Sequence, residues 1–314
     1  SFSWALHNMK SFLQEVSLGL SKKNKKLNSK WFYDFHGSKL FEQITKLEEY
    51  YPTRTERKIL KDNKIEIASK IGKRAVLIEP GAGDTKKIAI FLGSLDNPKK
   101  YIPLDISEDY IKKISKGFKR KFPKVAITPK AYDFSRNNKL PFKVNSSENV
   151  VIFFPGSTLG NFEKKDAVNF LKVLKSKFKA KMIIIGVDLV KDIPTLISAY
   201  DDKKGITAKF NKNILRRINT ELGGNIDLDS YKHLAIYNKS KKRIEMRLKC
   251  KKNNNIKVNG SKYLIKKNEE IHTENSHKYS IKSFKNLANE AGWKIKKTWV
   301  DNKKLFSVHC LDLR

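Results

Sequence analysis

Three short constellations in this sequence could hold a nucleoside. The first is Glu79-Pro80-Gly81-Ala82-Gly83, which follows the β-branched apolar run Ala75-Val76-Leu77-Ile78 and precedes a helical pattern containing Ile88, Ile90, Phe91 and Leu92. Glycines at such a turn let backbone approach a ligand closely, and the helix that follows offers unpaired N–H groups. A dinucleotide fingerprint would need G-x-G-x-x-G, but the sixth position is Lys86. The second is Asp105, closing Tyr101-Ile102-Pro103-Leu104, where a carboxylate would accept both ribose hydroxyls. The third is Asp133-Phe134, where a carboxylate can accept an adenine amino group and an aromatic ring can stack on the base. Each Asp alone is as well explained by a turn or cap. Three such features on successive strand ends converge on one crevice, and that combination predicts a nucleoside cofactor.

The elements that must position them alternate in type. An amphipathic helix is predicted over Arg57 to Ala68. Strand-like runs follow at Tyr101–Asp105, Ala126–Lys130, Asn149–Phe154 and Met182–Asp188. Continuous apolar strands alternating with helices imply an α/β fold with a mostly parallel sheet covered on both faces. After Asp188 the strands become amphipathic, as in Arg243–Leu248. The chain closes on a helix over Ser280–Ala291 and two strand candidates, Trp293–Lys296 and Phe306–Cys310. No Gly/Ser- or Pro-rich linker divides the chain. One doubly wound domain over 55–190 and 279–314 is therefore predicted, with a second domain built from 1–54 and an insertion over 191–278.

Composition bounds the remaining choices. With 314 residues, 39% of them hydrophobic and 11% aromatic, the chain can build a core and line a pocket. No apolar run approaches the roughly 20 residues that span a bilayer. The opening, Ser1 to Lys10, shows no basic leader followed by an apolar stretch. Two distant cysteines, Cys250 and Cys310, suit a reducing cytosol. A soluble, cytoplasmic monomer is expected. The six histidines form no metal-ligand cluster, so no metal is expected. The net charge of +35 points toward nucleic acid, but the excess is mostly Lys and spreads through every segment. Nucleic-acid readers favour Arg forks interleaved with aromatics, so a scattered, solvated surface is the better reading.

Further motifs resemble one family along nearly the whole chain. Trp31-Phe32-Tyr33-Asp34, Gly37 to Leu47 and Glu49-Tyr50-Tyr51-Pro52-Thr53-Arg54-Thr55-Glu56 open the match. Gly156-Ser157-Thr158-Leu159-Gly160-Asn161, Asp188 to Asp192, Ala199 to Asp202, Phe210 to Asn213, Arg243 to Met246 and Glu269 to Ser276 continue it in order. They resemble the histidine-specific Nα-methyltransferases, whose best-known activity is trimethylation of histidine to hercynine in ergothioneine biosynthesis. The resemblance implies a class I, Rossmann-like methyltransferase domain that uses S-adenosyl-L-methionine and releases S-adenosyl-L-homocysteine. It also implies a discontinuous α+β substrate domain and a small amino acid as partner.

Carried over by position, the resemblance assigns Gly81, Gly83, Lys87, Asp105, Asp133 and Phe134 to the cofactor. Tyr33 would lie near the amine and the sulfonium. Asn161, Tyr200 and Gly156 would clamp the α-amino and α-carboxylate groups, which makes Tyr33 and Asn161 the catalytic candidates. Tyr50, Met246, Glu274 and Ser276 would form the imidazole pocket, with Glu274 and Ser276 on ring nitrogens and Phe41 in the apolar wall. The types suit the chemistry. An aromatic lining stabilises growing positive charge on the amine, and a neutral Asn offers both an acceptor and two donors. The sequence departs from the family at Pro80 and Asp84 beside the cofactor, and at His272 and His277 beside the imidazole pocket. Taken singly, Tyr33, Tyr50 and Met246 also suit a core, and Glu274 a strand surface. Two other functions stay open on these residues: methylation of another aromatic amino acid or small amine, and nucleic-acid binding without catalysis.

Overall fold

A computed structural model describes residues 2–83, 86–135 and 139–313 of the protein. The chain forms two compact units: residues 1–50 with 192–275, and residues 51–191 with 276–314. Tyr51 and Ser276 go with the second unit, because the Tyr51 hydroxyl reaches Asp188 and Ser276 accepts from Lys278.

The second unit is built on an eight-stranded sheet. Its strands run in the order Trp293–Val300, Phe306–Leu313, Met182–Asp188, Asn149–Phe154, Ala75–Pro80, Lys100–Asp105 and Ala126–Ile127, with Lys130–Ala131 also pairing with Lys100–Asp105. The five inner pairings from Met182–Asp188 to Lys130–Ala131 are parallel. Phe306–Leu313 then enters antiparallel beside Met182–Asp188.

Side chains alternate along each strand, and the two faces feed separate cores. Val76, Ile78, Val150, Ile152 and Phe154 pack with Leu171, Leu174, Phe284 and Leu287 of two helices. Ala75, Leu77, Val151 and Phe153 pack on the other side with Leu60, Ile67, Ile88 and Phe91. Burial on both faces is why these strands read as unbroken apolar runs.

The chain steps outward from Ala75–Pro80 through Lys100–Asp105, then returns to Asn149–Phe154 on its other side. The order thus reverses at Ala75–Pro80, which is where open α/β sheets bind ligands.

Two sequence expectations change in detail. The helix expected over Arg57–Ala68 is two helices, Tyr51–Asp62 and Lys64–Ile71. Asn63 lies between them with its backbone out of helical geometry (φ −113°, ψ 12°), and its side-chain amide donates to the Ile59 carbonyl at 2.8 Å. The strand expected over Ala126–Lys130 is two short pieces, Ala126–Ile127 and Lys130–Ala131.

The first unit holds a three-stranded sheet ordered Glu270–His277, Arg243–Cys250 and Tyr231–Asn238, and a hairpin of Asn254–Val258 with Ser261–Ile265. Asn259 and Gly260 both take positive φ, 46° and 83°, as a two-residue hairpin turn requires. Helices Phe35–Ile44 and Ile206–Glu221 pack together in this unit.

Candidate active site

In the second unit, the expected cofactor residues Gly81, Gly83, Asp105, Asp133 and Phe134 lie at or just beyond the ends of parallel strands, and Lys87 lies in the first turn of the helix Lys86–Leu92. Gly81 follows Ala75–Pro80 directly with φ 68°, and a Cβ there would come within 3.1 Å of the Phe134 ring. The turn and the aromatic expected on the base therefore pack together, which requires glycine. Gly83 is different, since among the described residues the nearest atom to a Cβ lies 4.0 Å away. Asp84, noted for its departure from the family pattern, lies outside the described residues. Glu79 in the same turn is buried and accepts from the Tyr101 hydroxyl, so part of this motif holds the sheet together.

Asp105 is buried at the end of Lys100–Asp105 and accepts from the Ser107 N–H at 2.8 Å. Burial pushes its carboxyl up to about 6, and the Ser107 and Ile106 N–H groups oppose the rise only in part. Asp133 is also buried and accepts from the Ser135 N–H at 3.0 Å and hydroxyl at 2.5 Å. Phe134 packs among Phe154, Phe162 and Phe170, with centroids 5.6–6.3 Å away.

Gly156 follows Asn149–Phe154 with φ 80°. Its N–H lies 2.9 and 3.0 Å from the two oxygens of Glu56, which also pairs with Lys87 at 2.6 Å. Glu56 is 1% exposed and lies over Gly186, where a Cβ would collide with the carboxylate. Sequence reasoning did not single out Glu56 as a site residue. Its partners lie 31 and 100 positions away, and the only signal was its place at the end of the motif Glu49–Glu56.

Asn161 ends the short 3₁₀ turn Thr158–Asn161, entered through Ser157 at φ 55°. Among the described residues its amide has no partner within the protein. Gly160 beside it has no room for a Cβ against the His277 backbone, and its carbonyl lies 2.9 Å from His277 Nδ1. His277 thus has a local role in holding this turn. Ser276 is buried and its hydroxyl accepts from Lys278 at 2.8 Å. Lys278 in turn reaches Asp188 at 2.7 Å.

In the first unit the structure gathers four expected substrate residues into one aromatic set. Tyr33 meets Phe41 at 5.8 Å, Phe41 meets Tyr50 at 6.1 Å, and Tyr50 meets Tyr200 at 6.1 Å between centroids. Phe210 ties the set together, lying 5.4 Å from Tyr33 and 5.8 Å from Phe41. It was legible only as part of the Phe210–Asn213 motif, because an aromatic on a helix resembles any core residue.

The neighbours of Tyr33 are anchored on both sides. Asn213 donates to the Phe32 carbonyl and to Asp34, both at 2.9 Å, and Asp34 caps helix Phe35–Ile44 by accepting from the Gly37 N–H at 2.7 Å. Gly37 is required there, since a Cβ would strike the Phe32 carbonyl. Met246 is 1% exposed in strand Arg243–Cys250, and Glu274 is buried in strand Glu270–His277. The imidazole of His272, which is half-buried, is held down to about 4 by partial burial, so it is neutral at pH 7. Among the described residues no group of three or more His, Cys, Asp or Glu could hold a metal ion. No helix among them is long and apolar enough to cross a membrane.

A family model described as histidine-specific, SAM-dependent methyltransferase matches residues 12–313. The chain belongs to this family. It is 34% identical over 295 residues to a histidine N-alpha-methyltransferase of Mycolicibacterium smegmatis, covering 92% of this chain and 90% of that one. It is 33% identical to a protein of the same name from Mycobacterium tuberculosis, covering 94% and 92%. A 32% match to ergothioneine biosynthesis protein 1 of Neurospora crassa covers 89% of this chain and 32% of that longer protein. The protein is therefore a methyltransferase dependent on S-adenosyl-L-methionine, on the doubly wound fold its strand order shows. The residues present fit that cofactor. A buried carboxylate at Asp105, with no cation beside it among the described residues, suits hydroxyl donors, and the approach of Gly81 to Phe134 leaves a turn of bare backbone beside an aromatic face.

Proposed function

We propose that the enzyme methylates the α-amino group of L-histidine, up to the trimethylated product. The match to histidine N-alpha-methyltransferases over at least nine-tenths of both chains carries the reading. The aromatic set of Tyr33, Phe41, Tyr50 and Tyr200 supports it from the structure. In this reading Gly81, Gly83, Lys87, Asp105, Asp133 and Phe134 hold the cofactor.

The bound cofactor supplies a methyl group on a sulfonium. The protein's own work is to align the amine and keep water away. Asn161 and Tyr200 would orient the α-amino and α-carboxylate groups, with the Gly156 turn fixed for them by Glu56. The amine gains positive charge as it is methylated, and the faces of Tyr33 and its neighbours attract that charge. Glu274 would take an imidazole N–H in a charge-assisted bond, and Ser276 the second ring nitrogen. A site built to bond both nitrogens rejects rings that lack them far better than an apolar pocket does. Buried free thiols at Cys250 and Cys310 suit a reducing compartment, which supports action in the cytoplasm.

The test is mass spectrometry of the purified protein with S-adenosyl-L-methionine and the twenty amino acids. Histidine should gain up to three methyl groups. Transfer to tryptophan or phenylalanine, with none to histidine, would replace the substrate while leaving the chemistry intact.

A further inference from the structure

We infer that His233 is a positioning residue for the amino-acid substrate, acting with Asn211 and Thr273 to hold the backbone of Tyr200 in place. The inference rests on the proposal that Tyr200 touches the substrate. A chain of buried hydrogen bonds crosses the first unit. The Thr273 hydroxyl donates to Asn211 Oδ1 at 2.6 Å, with the Met246 carbonyl a second acceptor at 3.1 Å. The Asn211 amide nitrogen lies 2.8 Å from His233 Nδ1 and 3.1 Å from the Arg247 carbonyl. His233 Nε2 lies 2.8 Å from the Tyr200 carbonyl. Asn211 is fully buried, Thr273 1% exposed and His233 6%.

The direction of every bond follows from its ends. A carbonyl can only accept, so the Arg247 carbonyl fixes the NH₂ side of Asn211 toward itself and His233. Nδ1 of His233 must then accept, and Nε2 must carry the proton that it donates to the Tyr200 carbonyl. One neutral tautomer satisfies the chain. Burial also holds this imidazole below its usual range, although Asp201 lies 3.9 Å from Nε2. A buried network in which each member has its partner specifies one arrangement and is costly to break anywhere.

The placement of this chain is what connects it to substrate. Thr273 immediately precedes Glu274, and its second acceptor is the carbonyl of Met246, both expected at the imidazole. At the far end, Tyr200 stands between the helix Ile193–Ser198 and the Asp202 cap of the helix Ile206–Glu221. Asn211 follows Phe210, the ring that ties Tyr33 to Phe41. Three parts of the proposed substrate lining are thus joined by side chains that need not touch the substrate.

Two substitutions of similar polarity separate this role from general packing. His233→Gln keeps an N–H long enough to reach the Tyr200 carbonyl, whereas His233→Asn offers an acceptor to Asn211 but falls short of Tyr200. His233→Asn should raise KM for histidine roughly tenfold, the effect of losing one buried bond, with kcat within about threefold. His233→Gln should recover most of that loss. Affinity for S-adenosyl-L-homocysteine, read by calorimetry, should stay within about twofold in both. Combined with Tyr200→Phe, His233→Asn should add far less than its own tenfold. Equal KM values for the Asn and Gln variants, or an unchanged KM in a folded His233→Asn protein, would overturn the inference. If the wild type methylates a different amino acid, the substrate proposal fails, and the same comparison on that amino acid still decides the role of His233.

Discussion

Asp105 and Asp188 are both buried carboxylates at the ends of parallel strands in one sheet, yet their surroundings are opposite. Asp188 receives the Tyr51 hydroxyl at 2.8 and 2.9 Å, Lys191 at 2.7 Å and Lys278 at 2.7 Å. Burial alone would raise its carboxyl, but the two lysines outweigh that and hold it below the usual range. Among the described residues Asp105 is given backbone N–H groups and no cation, and its carboxyl is raised to about 6. A buried acid matched by internal cations belongs to the folded state. One raised by burial, with only backbone N–H donors among the described residues, is suited to a ligand with hydroxyl donors. Strand-end position alone does not tell these apart, but the partners do.

The comparison breaks first at Asp188. Asp188→Ala leaves two buried lysines without their counter-charge, which should cost about 3–5 kcal/mol of stability. Chemical denaturation of the purified variant reads this directly, and a midpoint equal to the wild type would show that the lysines are not held by Asp188.

Asp105→Asn should behave in the opposite way. Its unfolding midpoint should match or exceed the wild type at pH 7, while cofactor affinity falls roughly ten- to a hundredfold through loss of charged hydrogen bonds. The pH dependence sharpens the contrast. The Asp105 carboxyl is raised in the folded state, so its contribution to stability is full below its ordinary value of 3.8 and is lost as pH rises through about 6. Asp188 has the reverse sign, contributing above 3.8 and failing as pH drops through its lowered value. Cofactor affinity of the wild type should therefore weaken as pH falls below about 6, because the acceptor becomes protonated. Titration calorimetry across pH 5–8 should show that slope in the wild type and none in Asp105→Asn.

The same contrast explains how much could be read from the sequence. The apolar runs Ala75–Ile78, Val150–Phe154 and Met182–Val187 announced a sheet buried on both faces, because such strands cannot alternate. The Gly81 turn, Asp105 and Asp133-Phe134 were legible by residue type at strand ends. The aromatic residues Tyr33, Tyr50 and Tyr200 were not, since by type they equally suit a core, and only the family resemblance distinguished them. Glu56 and Phe210 escaped as site residues for a related reason. Their meaning lies in partners far along the chain, Gly156 for one and Tyr33 for the other. The break at Asn63 is a change of backbone angles at one residue, which a periodic pattern does not reveal.

The smallest expected effects lie in the glycine turn, where a single comparison separates folding from binding. At Gly81 the backbone has φ 68° and a new Cβ would press on Phe134 at 3.1 Å. A left-handed conformation costs an ordinary residue roughly 1–2 kcal/mol, and any shift of Phe134 would disturb the face expected to stack on the base. Gly83 has no positive φ, and among the described residues the nearest atom to a new Cβ is 4.0 Å away. Gly81→Ala should therefore lower both stability and cofactor affinity. Gly83→Ala should leave the unfolding midpoint within experimental error and weaken cofactor binding alone, because the added methyl would fill the space into which the ligand approaches. Equal losses of stability in the two variants would show that both glycines serve the turn. Unchanged cofactor affinity in Gly83→Ala would remove Gly83 from the binding surface and leave Gly81, through Phe134, as the glycine on which the site depends.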